Sequence, residues 1–331
     1  MAKTAIVTTS IGARPESYRD WATAGDLIVA GDQNAPASLR DFLSEVGGLY
    51  LTPERQTKDY PFSDIIGWRN IQRRNCAIMY ALEQKYDVII TVDDDNYPVG
   101  GARQFRDGHI AALAIQDTPI TYASPTNFLN TGIFCTPMFH QRGVPYGIQT
   151  HITRPRTTDR PRIVVSQAQV LGDPDCDAIE RMCNAPEVQA VVANVIISPG
   201  TYAAFNSQAT VWAGDWAPVM AVLPGLGRYD DIFASYVFHR LARTYNVALH
   251  VGAPAVVQKR NAHDLVKDLK AELWGMSNVF TFCDELDRAY ISADMPLVVA
   301  YSELMVAAAA VLPPDTIEFA RIWAKHWREV L

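Results

Sequence analysis

The most distinctive pattern along the chain is an uninterrupted run of apolar or β-favouring residues, Val88–Val92, that ends in Asp93, Asp94 and Asp95. A run without polar alternation is typical of a strand buried on both faces of a parallel sheet. Because side chains alternate along an extended strand, Asp93 and Asp95 are predicted to project to one side and Asp94 to the other. The pattern therefore predicts a buried strand with a pair of carboxylates at its carboxyl end.

Shorter apolar runs upstream predict the beginning of an α/β fold. We assign strands to residues 4–10, 27–30 and 49–52, a turn to 12–15, a helix to 18–24 and a polar loop to 53–63. A strand, a helix and a strand make a βαβ unit with a right-handed crossover, so the first two strands should end at the same sheet edge as the acidic triplet. This places Thr8, Ser10 and Asp32 near a possible nucleotide site.

Downstream, helical and strand patterns alternate until about residue 260, and only helical patterns follow. We assign helices to residues 65–84 and 100–117 and helix starts to 173 and 230. Strands are assigned to 120–123 and 163–168 and near 212, with an apolar β-branched run at 188–197 and an irregular segment at 125–149. The C-terminal helices are assigned to 264–274, 296–312 and 314–330. The sequence therefore predicts an α/β domain over residues 1–260 and a helical extension over residues 261–331 that packs on it.

The acidic triplet is a candidate metal site. Two carboxylates held together at the rim of an apolar sheet repel each other, and a raised pKa or a bound cation relieves the repulsion. Oxygen ligands favour a hard ion, and Mn²⁺ or Mg²⁺ held by few carboxylates keeps positions open for substrate phosphates. We therefore predict that Asp93 and Asp95 bind such an ion and that Asp94 belongs to the same nucleotide site. The alternative is an acidic loop or helix cap without a ligand.

Three arginines, Arg69, Arg73 and Arg74, lie near the start of the helix that leads into the acidic strand. Cations at a helix N-terminus oppose the helix dipole, which favours a role in pairing with phosphate or with the aspartates. The alternative is a set of ordinary surface arginines.

Two further groups of aspartates lie at predicted helix starts. Asp230 and Asp231 follow a glycine-rich approach, and two carboxylates there are candidates for catalysis, although helix capping is the alternative. Asp173, Asp175 and Asp177 do not fit a calcium loop, because the required Gly and distal Glu are missing, so we assign them to capping and turn formation.

Composition narrows the class of protein. The 331 residues carry a formal net charge of −7, which argues against broad binding to nucleic acid or anionic membranes. The residues at 296–312 are too few and too polar for a membrane span, and the N-terminal apolar run is too short for a signal peptide. The five cysteines are odd in number and show no CxxC spacing, so they indicate no zinc or disulfide framework, and a reducing cytoplasm is expected. Neither GxGxxG nor a P-loop sequence is present, which weakens the dinucleotide and P-loop interpretations.

Several stretches, in the same order, resemble the reversibly glycosylated polypeptide family, whose plant members include UDP-arabinopyranose mutases and which is related to GT-A glycosyltransferases. The matching stretches are YDVIITVDDDNY, QRGVPYGI, GDPDCDAI, FNSQATVW, GRYDDIFASY and GAPAVVQKRNAHDLVKDLKAE. The resemblance implies a GT-A, Rossmann-like fold whose mostly parallel sheet is flanked by helices. It also implies a UDP-sugar bound through a divalent metal at the acidic triplet.

The resemblance also assigns roles to individual residues. The arginine that becomes reversibly glycosylated in that family falls on Arg142, and the family's carboxylate pair falls on Asp230 and Asp231. Where the family shows His-Ser-Lys, this chain has Gln258, Lys259 and Arg260, so a histidine is missing but Lys259 or Arg260 can still hold phosphate.

The leading functional hypothesis is metal-dependent transfer of a sugar from UDP to an unidentified acceptor, which is a small molecule, a glycan or a protein. Asp230 or Asp231 would orient the sugar or acceptor or act as a base, and Arg142 would contact the diphosphate or sugar. Two alternatives remain open. One is a UDP-arabinopyranose mutase, and the other is a non-catalytic sugar-nucleotide-binding subunit, with homo-oligomers possible in each case.

Overall fold

A mixed β-sheet forms the centre of the fold in the computed structural model, which describes residues 2–10, 12, 15–115, 127–148, 160–191, 194–260 and 264–330. Within these ranges the strands are β1 (Thr4–Ser10), β2 (Asp26–Gly31), β3 (Leu49–Leu51), β4 (Val88–Val92), β5 (Asn96–Pro98), β6 (Cys135–Thr136), β7 (Arg162–Leu171), β8 (Ala190–Val191), β9 (Asn194–Ile197), β10 (Ala209–Ala213) and β11 (Val247–Gln258). The predicted strand at 120–123 lies outside the described residues.

Nine strands of the described residues belong to the central sheet, in the order β3-β2-β1-β4-β10-β7-β11-β5, with β9 also paired to β11. β1 to β4 are parallel, β10 is antiparallel to both β4 and β7, and β11 is parallel to β7. Most strands therefore run in one direction, and β1, β2, β4, β7 and β11 end at one edge. The predicted α/β fold with a mostly parallel sheet flanked by helices is confirmed.

Helices cover both faces of the sheet. The described α-helices are α1 (Ser17–Trp21), α2 (Ala37–Val46), α3 (Pro53–Asp59), α4 (Ser63–Ile66), α5 (Arg74–Glu83), α6 (Ala102–Leu113), α7 (Ala178–Cys183), α8 (Asp230–Tyr245), α9 (Leu265–Arg288), α10 (Leu297–Ala307) and α11 (Pro314–Val330). Apolar residues of α1, α2 and α6 pack on one face, and those of α5 and α8 pack on the other. All five residues of β4 are buried between these layers, which explains their uniformly apolar or β-branched character.

The C-terminal helices α9, α10 and α11 share the larger apolar core with α5 and α8. Trp323 of α11 lies against Phe62, with ring centroids 5.1 Å apart, and its indole nitrogen donates to the Pro218 carbonyl at 3.0 Å. α9 runs well beyond the predicted end at residue 274, whereas α11 has the predicted bounds. None of the described helices has both the length and the apolar character needed to cross a bilayer.

The predicted loop at 53–63 is wrong, because α3 and the start of α4 lie there. Thr52 caps α3: its side-chain oxygen accepts a hydrogen bond from the Arg55 amide at 3.2 Å, and Pro53 occupies the first helical position. The side chain of Gln56 donates to the carbonyls of Gly31 and Leu51, each at 2.7 Å. A polar, proline-containing segment therefore becomes a helix because of its cap and its contact with the ends of β2 and β3.

Thr52→Ala is expected to lower the free energy of unfolding by about 1 kcal/mol, because one amide at the start of α3 loses its partner. Chemical denaturation with urea, followed by circular dichroism, measures the change. Thr57→Ala, at an exposed position of the same helix, is the matched control and should cause no loss, since alanine is the better helix former. Equal destabilisation by both substitutions would contradict the capping role.

Candidate active site

Two adjacent cavities open at the sheet edge where the parallel strands end. The larger cavity has a volume of about 510 Å³ and the smaller cavity about 270 Å³. Their shared wall consists of Arg69, Asn70, Ile71, Asp93 and Asp95. A ligand longer than either cavity can therefore extend through both while passing the acidic triplet.

The acidic triplet forms a turn between β4 and β5, and the Asn96 amide donates to the Asp93 carbonyl at 3.2 Å. The strand ends at Val92, so the alternation assumed for an extended chain does not apply to the aspartates themselves. The three side chains still separate. Asp93 and Asp95 line both cavities, whereas Asp94 lines the smaller cavity.

Each aspartate of the triplet has its own partner. Asp93 pairs with Arg74, the Ser10 hydroxyl donates to Asp94 at 2.5 Å, and the Gln258 amide nitrogen donates to both oxygens of Asp95 at 3.2 and 3.1 Å. Burial, together with the charge of Asp93, raises the pKa of Asp95 to about 6. Burial also raises the pKa of Asp94. Two of the carboxylates are therefore poised to gain from a nearby cation.

The donor set fits a divalent cation that is shared with a substrate. No group of three or more His, Cys, Asp or Glu side chains in the described ranges is arranged to hold a metal by itself. Asp93 and Asp95 supply hard oxygen ligands at the shared wall, and Mg²⁺ in particular is commonly held by one or two carboxylates with phosphates and water completing the coordination. The residues present match that arrangement and do not match a closed, all-protein metal cage.

The raised pKa of Asp95 predicts how binding of a divalent cation at the triplet would depend on pH. The folded protein favours the protonated form of the Asp95 carboxyl. The contribution of Asp95 to folding stability is therefore largest below the pKa that this carboxyl has in the unfolded chain, and it is lost as pH rises through about 6. A cation favours the ionised form and removes this penalty. We therefore expect Mn²⁺ to raise Tm more at about pH 7.5 than at about pH 5, measured by scanning fluorimetry. Asp95→Asn should reduce the increase at both pH values, and an increase that is equal at the two pH values in the unsubstituted protein would contradict the prediction.

A buried ion-pair cluster of Arg142, Asp175 and Asp231 also lines the larger cavity. Arg142 donates through Nε and Nη2 to the two oxygens of Asp175 at 3.0 and 2.8 Å, and its Nη1 lies 3.4 Å from Asp231 Oδ1. Burial opposes the charge on Arg142, but Asp175 and Asp231 outweigh it and raise the pKa of the guanidinium. Burial likewise opposes ionisation of Asp175, but Arg142 outweighs it and lowers the pKa of that carboxyl.

Asp230 and Asp231 begin α8 and both line the larger cavity. Asp230 accepts from Gln72 Nε2 at 2.6 Å, and burial followed by repulsion from Asp231 raises its pKa. Asp231 accepts through Oδ2 from the amide and hydroxyl of Ser207, at 2.9 and 3.1 Å. Its Oδ1 is buried and has no hydrogen-bond partner among the described residues. Helix capping does not account for these contacts, and Asp231 Oδ1 is the oxygen that faces Arg142 Nη1.

The arginines predicted to cluster near the start of α5 make different contacts. Arg74 donates to Ser207 and to the Val92 carbonyl besides pairing with Asp93, so it fixes the start of the acidic turn. Arg73 is a buried structural residue, not a phosphate ligand, because it donates to Gln56 and Ser63 below α5.

Two residues predicted near the nucleotide do not line either cavity. Thr8 is fully buried, and the next residue, Thr9, lines the smaller cavity together with Ser10. Asp32 is also buried, and it accepts from the Arg69 amide at 2.6 Å. Arg69 has a φ of 62°, a left-handed conformation that is uncommon for a residue with a side chain. Asp32 therefore holds the shared wall in place instead of contacting a ligand.

The two cationic residues that follow β11, Lys259 and Arg260, lie in different environments. Arg260 lines the larger cavity, and its Nε lies 2.9 Å from Asp173 Oδ2. Lys259 is exposed, and its ammonium nitrogen lies 4.1 Å from the centroid of the Tyr97 ring. Arg260 therefore lies where it can reach a ligand in the larger cavity, whereas Lys259 lines neither cavity. That one of them holds phosphate stays a prediction.

The assignment of Asp175 to a turn missed its contact with Arg142. Only Asp177 of that acidic group caps a helix, since it accepts from the Glu180 amide at 2.9 Å. The one available signal was that residues 172–179 belong to the stretches that carry the family resemblance. Two neutral amides of the larger cavity, Gln208 and Gln258, were also missed as site residues, although Gln208 lies in FNSQATVW and Gln258 stands where the family shows a histidine.

Comparison with known proteins leaves the function open. No family model matches the chain, and no curated protein matches it. One solved structure, titled "Crystal Structure of a Mycobacterial Protein", is 9% identical with a TM-score of 0.48, over 86% of this chain and 75% of that one. A second, S. aureus TarS residues 1–349 in complex with UDP-GlcNAc, is 10% identical with a TM-score of 0.37, over 99% of this chain and 90% of that one. Neither similarity is strong enough to assign a family or an activity to this protein.

Proposed function

We propose that this protein is a GT-A-like glycosyltransferase that transfers a sugar from a UDP-sugar donor, with Mn²⁺ or Mg²⁺ bound by Asp93 and Asp95. The main supporting observation is the position of these two carboxylates, which form part of the wall shared by both cavities at the carboxyl ends of β1 and β4. Ligands of open α/β sheets bind outside the carboxyl ends of the strands, where loops supply specific contacts.

The two cavities suit the two parts of a nucleotide-sugar. We place the nucleoside in the smaller cavity beside Thr9 and Ser10, and the sugar in the larger cavity. The diphosphate then lies at the shared wall, near Asp93, Asp95 and the guanidinium of Arg69. When bound, the divalent ion would neutralise charge on the diphosphate as it leaves. The cationic side chains of Arg69 and Arg260 add positive charge on the same route.

The chemistry requires a group that accepts a proton from the acceptor. In the proposed step, an acceptor hydroxyl oxygen bonds to the anomeric carbon, the bond from that carbon to the diphosphate breaks with its electron pair, and UDP leaves. The hydroxyl proton passes to the Asp230–Asp231 pair. Burial, followed by repulsion from Asp231, raises the pKa of Asp230 and favours uptake of one proton by the pair.

The arrangement of Arg142 favours transfer over the mutase alternative. All three guanidinium nitrogens of Arg142 donate to protein oxygens. Nε and Nη2 donate to Asp175, and Nη1 donates to the Arg228 carbonyl. The neighbouring carboxylates raise its pKa, and a protonated guanidinium is a poor nucleophile. We therefore assign Arg142 to orienting Asp175 and Asp231, not to carrying a sugar.

Product analysis distinguishes the candidate functions. The purified protein is incubated with a panel of UDP-sugars, Mn²⁺ and a mixture of acceptor hydroxyl compounds, and the products are separated by mass spectrometry and chromatography. Free UDP with a glycosylated acceptor supports transfer, whereas a UDP-furanose supports the mutase. Metal-dependent binding of UDP without any product supports the binding subunit. The proposed site would be contradicted if the protein does not bind UDP. It would also be contradicted if UDP binding is the same with and without Mn²⁺ and after substitution of Asp93 and Asp95.

A further inference from the structure

A chain of three neutral amide side chains connects the two charged ends of the larger cavity. Gln258 Nε2 donates to Asp95, Gln208 Nε2 donates to Gln258 Oε1 at 2.7 Å, and Asn206 Nδ2 donates to Gln208 Oε1 at 3.2 Å. The chain ends at Asp175, which accepts from Asn206 Nδ2 at 2.6 Å. Asn206 and Gln208 are buried, so these bonds are protected from competition with water.

The carboxylates at the ends fix the direction of every bond in this chain. An ionised carboxylate only accepts hydrogen bonds, so Gln258 must present its nitrogen to Asp95, and its oxygen must face Gln208. Gln208 then presents its nitrogen to Gln258 and its oxygen to Asn206, whose nitrogen faces Asp175. Arg260 Nη2 donates to the same Gln258 oxygen at 2.5 Å, which reinforces this orientation. Reversing any one amide would place two donors or two acceptors against each other.

Gln258 therefore occupies a special position beside Asp95. Its nitrogen contacts both carboxylate oxygens, so it restricts the rotation of Asp95, yet it leaves lone pairs on each oxygen for a cation. Its own oxygen already accepts from Gln208 and Arg260. The neighbour of Asp95 in the larger cavity is thus a neutral, hydrogen-bonded amide and not a third carboxylate.

Building on the proposed UDP-sugar site, we propose that Gln258 is a positioning residue that orients Asp95 and limits the protein's anionic ligands here to Asp93 and Asp95. With only these two carboxylates, the cation binds weakly to the protein alone, and the donor diphosphate supplies the remaining charge. Gln258 in this way makes the binding of metal and nucleotide mutually dependent.

Two substitutions of Gln258 test the proposal by metal binding, without any need for turnover. Mn²⁺ affinity is measured by electron paramagnetic resonance or calorimetry, with and without UDP. Gln258→Glu adds a carboxylate beside Asp95, so Mn²⁺ alone should bind about 10-fold more tightly, and UDP should increase the affinity less than it does in the unsubstituted protein. Gln258→Leu removes the hydrogen bonds to Asp95, so Mn²⁺ affinity in the presence of UDP should fall about 10-fold.

Gln84→Glu, at an exposed position after α5, is the control for adding a negative charge and should leave both affinities unchanged. Circular dichroism and urea unfolding establish whether each variant is folded. If one Gln258 variant does not fold, the Mn²⁺ affinities of the other variant test the proposal. Unsubstituted protein that shows no metal-dependent UDP binding would overturn the proposed function itself. Metal-dependent binding in the unsubstituted protein, with unchanged affinities in the folded Gln258 variants, would overturn only the role of Gln258.

Discussion

Asp93→Asn and Asp95→Asn are each expected to lower kcat/KM for sugar transfer by about a thousandfold. Each substitution removes one of the two carboxylates at the wall shared by the cavities. In the proposed reaction, negative charge would build on the diphosphate at this wall in the transition state. The amide that replaces it keeps the shape of the side chain but binds a divalent cation far less well. Initial rates of UDP release from the donor identified by product analysis measure the change.

Asp41→Asn, at an exposed position of α2, is the matched control and should leave the rate unchanged. Urea unfolding of each variant separates lost activity from lost stability, which matters for Asp93 because it also pairs with buried Arg74. A folded Asp95→Asn protein that retains full metal-dependent transfer would exclude Asp95 from the metal site.

Arg142→Met is expected to lower the free energy of unfolding by about 3–5 kcal/mol. The substitution fills most of the same space but leaves Asp175 and Asp231 buried without their cation. Uncompensated burial of charge is far more costly than loss of an exposed ion pair. Equilibrium unfolding in urea, followed by tryptophan fluorescence, measures the loss.

Arg162→Met is the matched control, because Arg162 pairs with Asp215 at 3.3 Å where both side chains are more than half exposed. It should cost about 0–1 kcal/mol. The double substitution Arg142→Met with Asp175→Leu should recover part of the stability lost in Arg142→Met, since it removes one of the two buried charges. Equal losses for Arg142→Met and Arg162→Met would show that the cluster contributes little.

The strands near the site were predictable because burial on both faces selects one kind of side chain. Val88–Val92 is apolar or β-branched throughout, and its structural bounds are those of the predicted run. α11 was predictable because apolar residues recur with a helical period between the proline at its start and the end of the chain.

Helix α3 and the length of α9 were not predictable from periodicity alone. α3 has a largely polar sequence, and its one fully buried side chain, Gln56, donates to the Gly31 carbonyl, which is 25 positions away. α9 continues past residue 274 through a polar and glycine-containing segment because its inner face packs on α8, as shown by the Phe233 and Phe282 rings, whose centroids are 4.5 Å apart. In both cases tertiary contacts decide what local preference leaves open.

The same reasoning applies to the candidate site. A sequence pattern places residues at a sheet edge, and Asp93, Asp95, Asp230 and Asp231 all line the larger cavity there. The pattern alone does not show which of two adjacent residues lines the cavity. It led to the prediction of Thr8, whereas Thr9 lines the smaller cavity. Nor does it reveal that Asp175 meets Arg142, because the two residues are 33 positions apart and are brought together only by the fold.

The polarity of the larger cavity has a practical consequence before any acceptor is known. A cavity of about 510 Å³ lined by carboxylates, guanidinium groups and amides stays hydrated when the acceptor is absent. In the proposed reaction, water would then occupy the place of the acceptor hydroxyl, next to the anomeric carbon of the donor. We therefore expect slow hydrolysis of the correct UDP-sugar to free sugar and UDP, so the protein's own side reaction can identify its donor.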